Sequence, residues 1–249
     1  MIAIRESLDY AGETFVASLG TLLHPSRFRF RDFFLAFQRA SYDALPISSG
    51  IGFLLGLILA FESAAALQMF ALQSYVADLL SIGLFRELGP VMTAIVLAGR
   101  SGSAYAAQIG AMKVNEELNA LVTMGIQPVR FLVLPRIAAA ALAMPILTIF
   151  AELAGLCGGA LVLSAMDVPP VVFWSHAVST TTAFMILFGL AKAVFFGMLV
   201  ALIGCICGLR TKLTADGVGQ ASTSAVVSSI VAIALSDGII AVVCHAWGI

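Results

Sequence analysis

Charge is the scarcest property of this chain, because Asp, Glu, Lys and Arg together make up only 11% of its 249 residues. Soluble domains carry about 25% charged and about 45–50% apolar residues, whereas 61% of the residues here are hydrophobic. This composition excludes an ordinary soluble globule, a disordered chain and a protein that binds nucleic acid through a basic face. The formal net charge of −1 also argues against long-range attraction of an acidic partner. The sequence therefore predicts an integral membrane protein.

Patterns that indicate chemistry are also missing. No Gly-x-x-x-x-Gly-Lys-Ser/Thr sequence is present to bind nucleotide phosphates, and no Gly-x-Ser-x-Gly sequence is present to place a nucleophilic serine. The first twenty residues carry charges where a signal peptide needs an apolar stretch. We expect no catalytic residue, no metal site, no cofactor in this chain and buried structural thiols. This expectation covers His24, His176, His245, Cys157, Cys205, Cys207 and Cys244.

Five apolar segments are long enough to cross a bilayer, which takes about 20 residues for a hydrocarbon core about 30 Å thick. We predict five helices, because unpaired backbone groups are too costly in hydrocarbon. The first segment has 28 residues and would be about 42 Å long, so it must tilt or project beyond the core. The predicted spans are 45–72, 88–112, 132–163, 183–209 and 225–244, within a transmembrane domain of residues 45–249.

An amphipathic region precedes the first span. Phe33, Phe34 and Phe37 share one side of a helix, with polar residues elsewhere and three arginines just upstream. This pattern is typical of a helix that lies in the membrane interface. We predict such a helix within residues 1–44, and the alternative is a sixth, partly buried core helix.

Lys and Arg set the expected orientation, because they are enriched in cytoplasmic loops. Ten of them fall on one side of the predicted spans and one on the other. We expect a cytoplasmic N-terminus and a C-terminus on the opposite, outer side of the membrane, which agrees with an odd number of spans. The ten are Arg5, Arg27, Arg29, Arg31, Arg39, Lys113, Arg130, Arg136, Arg210 and Lys212, and the single exception is Arg86.

Ionisable side chains inside spans are the strongest internal indication of function, because each costs roughly 2.5–3.5 kcal/mol at the centre of an inserted helix. A rise of 1.5 Å per residue places most of them in the outer half of the membrane, with Arg86 and Glu87 at the outer edge of the second span. We infer a cavity that opens outward and is otherwise apolar, suited to a lipidic solute. The charges are Glu62, Arg86, Glu87, Arg100, Glu152, Lys192 and Asp237.

Six of these seven charges, all but Glu62, also have a structural explanation. Arg86 and Glu87 can simply pair with other charges to lock helices together. Glu152, Lys192 and Asp237 can pair to hold helices together, although Lys192 is also placed among the cavity residues. Arg100 lies about 21 Å inward from Arg86, where it can satisfy backbone carbonyls or an acidic partner.

The segment 111–136 contains a second amphipathic pattern. It begins like a helix, and Gly125 and Pro128 then supply a stop. A short helix between two spans has no lipid-spanning role, so we predict that residues 112–124 dock into a groove of a partner protein. The alternative is a helix that lies on its own bundle.

Three stretches resemble the MlaE/YrbE permeases, the membrane subunits of lipid ABC transporters associated with MCE-domain proteins. They are the FRELGPV sequence at 85–91, LAGRSGSA at 97–104 and the run from Ile109 to Arg136, and GVGQASTSAVV at 217–227 also matches. The likeness extends over nearly the whole chain.

The resemblance implies an all-α fold with an N-terminal interfacial helix and five transmembrane helices, in a homodimer in the bacterial inner membrane. It implies two cytoplasmic ATPase subunits that bind ATP and Mg²⁺, a periplasmic hexameric ring of MCE domains, in some systems a STAS-domain subunit, and phospholipid as substrate. It further implies a lipid cavity lined by Leu59, Glu62, Leu67 and Phe70, with Arg86 and Glu87 near the phosphate. The helix that couples to the ATPase would include Lys113, Glu116, Glu117, Leu121 and Met124.

One position departs from the family pattern, since we expect Gln where this chain has Glu62. A fixed negative charge repels a lipid phosphate unless it is protonated or paired with Arg86 or Lys192. A sterol or a fatty acid therefore stays open as substrate.

Two other functions compete with lipid transport by an ABC system. A stand-alone carrier coupled to protons or sodium would use Glu62, Glu152, Lys192 and Asp237 as an ion relay, but it has no need of the short docking helix. An enzyme acting on lipid head groups is the weaker alternative, because no catalytic constellation supports it.

Overall fold

A computed structural model describes residues 30–70, 72 and 75–247 of the chain, and all its regular elements are helices. Five of the eight helices are long and apolar enough to cross a membrane, which confirms the predicted all-α fold and the number of spans. The helices are α1 (Phe30–Ser41), α2 (Leu45–Gln68), α3 (Val76–Val114), α4 (Glu117–Thr123), α5 (Val129–Ala165), α6 (Pro170–Thr180), α7 (Ala183–Leu209) and α8 (Ala215–Trp247).

The predicted span boundaries were wrong at two places that matter for function. Helix α2 ends at Gln68 and is therefore about 36 Å long rather than 42 Å. Helix α3 begins at Val76, twelve residues before the predicted start. Arg86 and Glu87 consequently lie about 15 Å along α3 from its first residue, and not at a helix mouth.

Helix α3 contains two π-helical segments, Leu84–Leu88 and Ala98–Gly102, and α5 opens with a third, Val129–Val133. The backbone N–H of the residue that follows each segment donates to the carbonyl five residues earlier. Pro90 and Pro135 follow the first and the third segment closely. A proline lacks an N–H and clashes with the carbonyl one turn before it, and the wider π turn relieves both problems.

Helix α6 was not predicted, since residues 164–182 were interpreted as a loop. Two prolines at its start, Pro169 and Pro170, favour a helix N-terminus. Phe173 and Ala177 then lie one turn apart and are both buried. The segment is too short to span a membrane, which is why a search for apolar runs of about 20 residues missed it.

Residues 43–96 and 144–196 form one of two compact units. Its apolar core combines residues of α2, α3, α5 and α6, including Leu80, Leu84, Leu156 and Phe173. Helix α2 contacts α5 through a stripe of small residues spaced four apart, which allows the two backbones to approach closely. The buried residues of this stripe are Ser48, Gly52, Gly56, Ala60 and Ala64.

We predict that Gly56→Ala destabilises the permease by about 2 kcal/mol, as in an overpacked core. A Cβ at Gly56 would overlap the carbonyl of Gly155 and lie 2.6 Å from its Cα, so the helices must separate. Thermal unfolding of the purified protein in lipid nanodiscs measures the effect. Gly50→Ala is the matched control on the same helix, because a Cβ there meets nothing within 4 Å. Equal melting temperatures for the two variants would contradict the packing argument.

Among the described residues, 97–143 and 197–247, with residues 30–42, form the other unit. Here α3 packs against α7 and α8. A Cβ at Gly204 would lie 2.6 Å from the carbonyl oxygen of Gly102, and one at Gly208 would lie 2.8 Å from Cβ of Ile109. Gly102 of the 97–104 stretch therefore permits close helix packing, whereas a Cβ at Gly99 would meet nothing within 4 Å.

Helix α1 bears out the predicted N-terminal helix. Phe33 stacks on Phe37 with ring centroids 6.0 Å apart, while Phe34 stays 62% exposed. Phe33 and Phe37 are half-buried and the helix ends on the buried Ala40 and Ser41, so its position in the membrane interface stays a prediction beside the alternative of a partly buried core helix. Arg27 and Arg29 lie outside the described residues. Among the cysteines the expectation of burial was wrong for Cys157, which is exposed because it lies on an outward face of α5, whereas Cys205 and Cys244 are buried.

Candidate functional site

Three of the predicted site residues come together in the unit formed by residues 43–96 and 144–196. The Lys192 Nζ on α7 lies 2.5 Å from Glu87 Oε2 and donates to the Arg86 carbonyl at 3.3 Å. The Arg86 Nε lies 3.8 Å from Glu87 Oε1. Lys192 is 3% exposed, whereas the side chains of Arg86 and Glu87 are 36% and 37% exposed. We call these three residues the charged cluster, and its formal charge is +1.

The local sequence explains how the charged cluster forms. Pro90 has no N–H to donate to the carbonyls of the turn before it, and α7 covers that turn. Gly189 faces the Phe85 carbonyl so closely that a Cβ would overlap the oxygen. Lys192, one turn further along α7, then reaches the Arg86 carbonyl. The π turn, the proline and the glycine together place a buried ammonium group beside a partly exposed carboxylate.

The cavity residues implied by the family resemblance divide into two groups. Leu59 and Leu67 pack against the apolar core of their own unit. Glu62 is exposed and Phe70 is 71% exposed. Lys192 contacts the side chain of Glu87, so the structure gives Lys192 a partner other than Glu62.

Helix α2 presents its large apolar side chains on the face away from the small-residue stripe. Leu54, Ile58 and Phe61 are 56%, 53% and 60% exposed, and Glu62 lies beside them. In this unit the cavity between α2, α3 and α5, lined by Ser48, Leu84, Thr93 and Ala151, has a volume of only about 10 Å³. Such a space holds about one water. An acyl chain therefore needs a space outside this cavity.

The other intramembrane charges lie on α3, α5 and α8. Glu152 on α5 is 2% exposed and lies against Gly89, where a Cβ would be 2.7 Å from its Oε1. Gly89 thus makes room for a buried glutamate directly after the π turn. Arg100 lies in the second π segment, and the carbonyl oxygens of Gly99 and Arg100 accept from the Ser103 hydroxyl. Asp237 is half-buried on α8.

The predicted helix over residues 112–124 is two helices rather than one. Lys113 belongs to the end of α3, and its Nζ donates to the Leu209 carbonyl at 2.7 Å. Glu116 then has a positive φ of 63°, which ends the first helix, and α4 starts at Glu117. Gly125, with φ at 75°, closes α4 as the sequence predicted. Its N–H donates to the Val122 carbonyl and that of Ile126 to the Leu121 carbonyl.

Helix α4 buries one side and exposes the other. Leu118 and Leu121 are 8% and 9% exposed, so Leu121 packs inside its own protomer and is not available to a partner. Val122 and Met124 are 59% and 64% exposed. The alternative of packing on the bundle is confirmed for the buried face, and docking to a partner stays a prediction for the exposed face.

A polar cluster that the sequence did not indicate links α3 to α6. The Thr180 hydroxyl donates to Asp78 Oδ1 at 2.5 Å, and His176 Nδ1 lies 3.3 Å from both carboxylate oxygens. Tyr75 packs edge-on against the His176 ring. Because these residues lie about 100 positions apart in the chain, spacing could not pair them. Recognising α6 as a helix would have placed His176 and Thr180 on one side of it, one turn apart.

Comparison with known proteins decides the family. A family model described as permease MlaE matches residues 33–243. The chain belongs to this family. The matched region contains the charged cluster, the three π segments and α4. The resemblance of the 85–136 block is thereby confirmed, and the protein is a multi-pass membrane permease.

Individual relatives agree with this family. A Synechocystis protein named "probable ABC transporter permease protein" is 38% identical over 183 residues, which cover 73% of this chain and 70% of the relative. The intermembrane phospholipid transport system permease MlaE of Haemophilus influenzae is 37% identical over 187 residues, 74% of this chain and 72% of its own. The chloroplastic protein trigalactosyldiacylglycerol 1 of Arabidopsis thaliana is 36% identical over 163 residues, 65% of this chain and 47% of its own.

Proposed function

We propose that this chain is the permease subunit of an ABC transporter that moves phospholipids between the inner membrane and a periplasmic MCE-domain hexamer. The observation that carries the proposal is the charged cluster. Its net positive charge and the 36% exposed Arg86 side chain suit a lipid phosphate, since a guanidinium binds phosphate through paired N–H groups. The name of the Haemophilus relative supports phospholipid as the substrate.

A second copy of the chain completes the lipid site. The exposed apolar face of α2, with Leu54, Ile58 and Phe61, supplies surface for acyl chains once a second protomer encloses it. Phe70 and Glu62 extend this surface, whereas Leu59 and Leu67 support it from the core side. The cavity between α2, α3 and α5, at about 10 Å³, is too small for an acyl chain, so the outer face of α2 is the surface that we assign to the acyl chains. Residues 45–249 form the permease domain and residues 1–44 the interfacial region.

The distribution of Lys and Arg supports a cytoplasmic N-terminus and a periplasmic C-terminus. Arg86 was the only exception, and it lies inside α3 rather than in a loop. The connections 69–75 and 166–182 contain no Lys or Arg. Ten Lys and Arg residues thus oppose Arg86 alone. In this orientation α4 and the connection 210–214 face the cytoplasm.

Helix α4 couples the permease to ATP hydrolysis by a separate ATPase subunit. Two copies of that subunit bind ATP and Mg²⁺, outside this chain. Its exposed Val122 and Met124, with Glu116 and Glu117 beside them, form the contact surface. Lys113 holds the base of α3 to the end of α7, so a push on α4 reaches both spans. A STAS-domain subunit is an optional further partner.

Reversing the charge at Arg86 tests the proposal. We expect Arg86→Glu to lower ATP-dependent phospholipid transfer about tenfold or more, because a charged hydrogen bond to the phosphate is replaced by repulsion. Transfer of fluorescent phospholipid between proteoliposomes and the MCE-domain partner measures the effect. Size-exclusion chromatography checks that the complex still assembles.

Arg86→Lys is the matched control, since it keeps the charge and loses only the paired geometry. We expect it to retain more transfer than Arg86→Glu. Wild-type transfer by Arg86→Glu would overturn the role of the charged cluster. Uptake driven by a proton or sodium gradient, without ATP and with the permease alone, would favour the ion-coupled carrier instead.

A further inference from the structure

A second cavity, which has a polar lining, lies in the unit that contains the end of α7 and the start of α8. Its volume is about 330 Å³, within the range of about 300–1,000 Å³ that is usual for ligand pockets. We call it the basic groove. Its walls are the last turn of α7, the connection to α8 and one face of α8, with Cys207, Arg210, Thr211, Lys212, Gly217, Gln220, Ala221, Ser224 and Ser228 as lining residues.

The charge of the basic groove has one sign. Arg210 and Lys212 line it, and no Asp or Glu is among the lining residues. Asp216 is on the adjacent first turn of α8, outside the lining. The first turn of α8 also directs its backbone N–H groups and the positive end of its dipole to this region. One of these groups, the N–H of Gly217, donates to the Thr214 hydroxyl.

A polar stripe continues from the basic groove along α8. Gln220, Ser224 and Ser228 follow one another at intervals of four residues, so they share one side over about 12 Å, and all three are exposed. Gln220 and Ser224 precede the predicted span 225–244, and Ser228 lies in its first turn. At this level the helix passes through the bilayer interface, where a lipid head group with its glycerol esters supplies acceptors for polar side chains.

We propose that the basic groove binds the phosphate of an anionic phospholipid from the leaflet next to the 210–214 connection. Arg210 and Lys212 hold the phosphate, and Gln220 and Ser224 donate to the phosphate and ester oxygens. Basic pockets between transmembrane helices on the cytoplasmic side bind anionic head groups in this way. The proposal rests on the proposed orientation, and it adds a lipid site that is separate from the charged cluster.

Lipid titration of the purified full-length permease tests the proposal without ATP or partner subunits. The probes are phosphatidylglycerol and phosphatidylcholine, and native mass spectrometry counts the bound molecules. We expect the double variant Arg210→Ala, Lys212→Ala to bind phosphatidylglycerol roughly 30-fold more weakly, at about fivefold for each basic residue. Binding of phosphatidylcholine should change less than about twofold, because a zwitterion gains little from the two cations.

The double variant Arg39→Ala, Arg130→Ala is the matched control. It removes two exposed cations of the same unit that do not line the basic groove, and we expect nearly wild-type binding. Ser224→Leu fills the groove without changing its charge and should also weaken phosphatidylglycerol binding. If the first double variant failed to fold, Ser224→Leu would still decide the question.

Three results would overturn the proposal. Equal loss in the control variant would mean that bulk electrostatic attraction, not the groove, binds the lipid. Displacement of the lipid by excess inorganic phosphate would indicate a site for a soluble anion. Efficient disulfide cross-linking of a cysteine placed at Ser224 to its counterpart would show that a second copy of α8 fills the groove. Loss of transfer in Arg86→Glu with intact binding here would separate the two lipid sites.

Discussion

Replacing Lys192 by methionine is expected to lower the free energy of unfolding of the permease by about 3 kcal/mol. Removal of one partner of a buried ion pair costs about 3–5 kcal/mol, and the lower end applies because Glu87 is 37% exposed. Methionine nearly matches the length of lysine, so the loss is electrostatic rather than steric. The Arg86 carbonyl also loses its donor at 3.3 Å, and Pro90 has no N–H to replace it. Thermal unfolding in nanodiscs measures the change.

The double variant Lys192→Met, Glu87→Gln separates stability from function. Neutralising Glu87 removes the unpaired charge, so we expect most of the lost stability to return. Lipid transfer should stay low, because Arg86 then lacks the Glu87 carboxylate beside it, and the Lys192 ammonium that holds this carboxylate in place is also gone. Lys192 is thus a positioning residue. A single Lys192→Met variant with wild-type stability and transfer would contradict this assignment, and full recovery of transfer in the double variant would show that the pair is only structural.

The charged cluster shows how far the sequence could lead. Ionisable residues in apolar spans predict that charges meet inside the membrane, and Lys192, Arg86 and Glu87 do meet. Their partners were not predictable, because Lys192 lies about 105 residues from Glu87 and the family comparison names positions rather than contacts. The π turn was also not predictable, since a five-residue segment with more residues per turn leaves no clear hydrophobic period. Pro90 was the available signal, and it was interpreted only as part of a family motif.

The short helices and the helix ends also include features that the sequence predicted and features that it did not. Five long spans follow from apolar length alone, and Gly125 was predicted correctly as the end of α4. The left-handed Glu116 was not, because a glutamate has no preference for positive φ. Helix α6 was missed because its buried residues Phe173 and Ala177 depend on a core that forms only after folding. Asp78 and His176 depend in turn on α6.

Exchanging Val122 and Met124 for aspartate together is expected to weaken binding of the ATPase subunit about 100-fold. These are the large apolar side chains that α4 exposes, at 59% and 64%. Anchors of this kind contribute more than about 1 kcal/mol each to an interface, and a buried carboxylate adds a desolvation cost. Copurification of the ATPase subunit and the rate of ATP-dependent lipid transfer measure the loss.

The choice of residues in this experiment follows from the two faces of α4. Leu121 is 9% exposed, so Leu121→Asp would disrupt the protomer and could not report on docking. Thr123→Asp is the matched control, because Thr123 is exposed between the two anchors and the change adds a charge without removing apolar surface. We expect it to bind the ATPase subunit within about fivefold of wild type, as for an energetically minor contact. If the double variant still copurified with the ATPase subunit and transferred lipid at the wild-type rate, α4 would not be the coupling helix, and the connection 210–214 would be the next cytoplasmic surface to test.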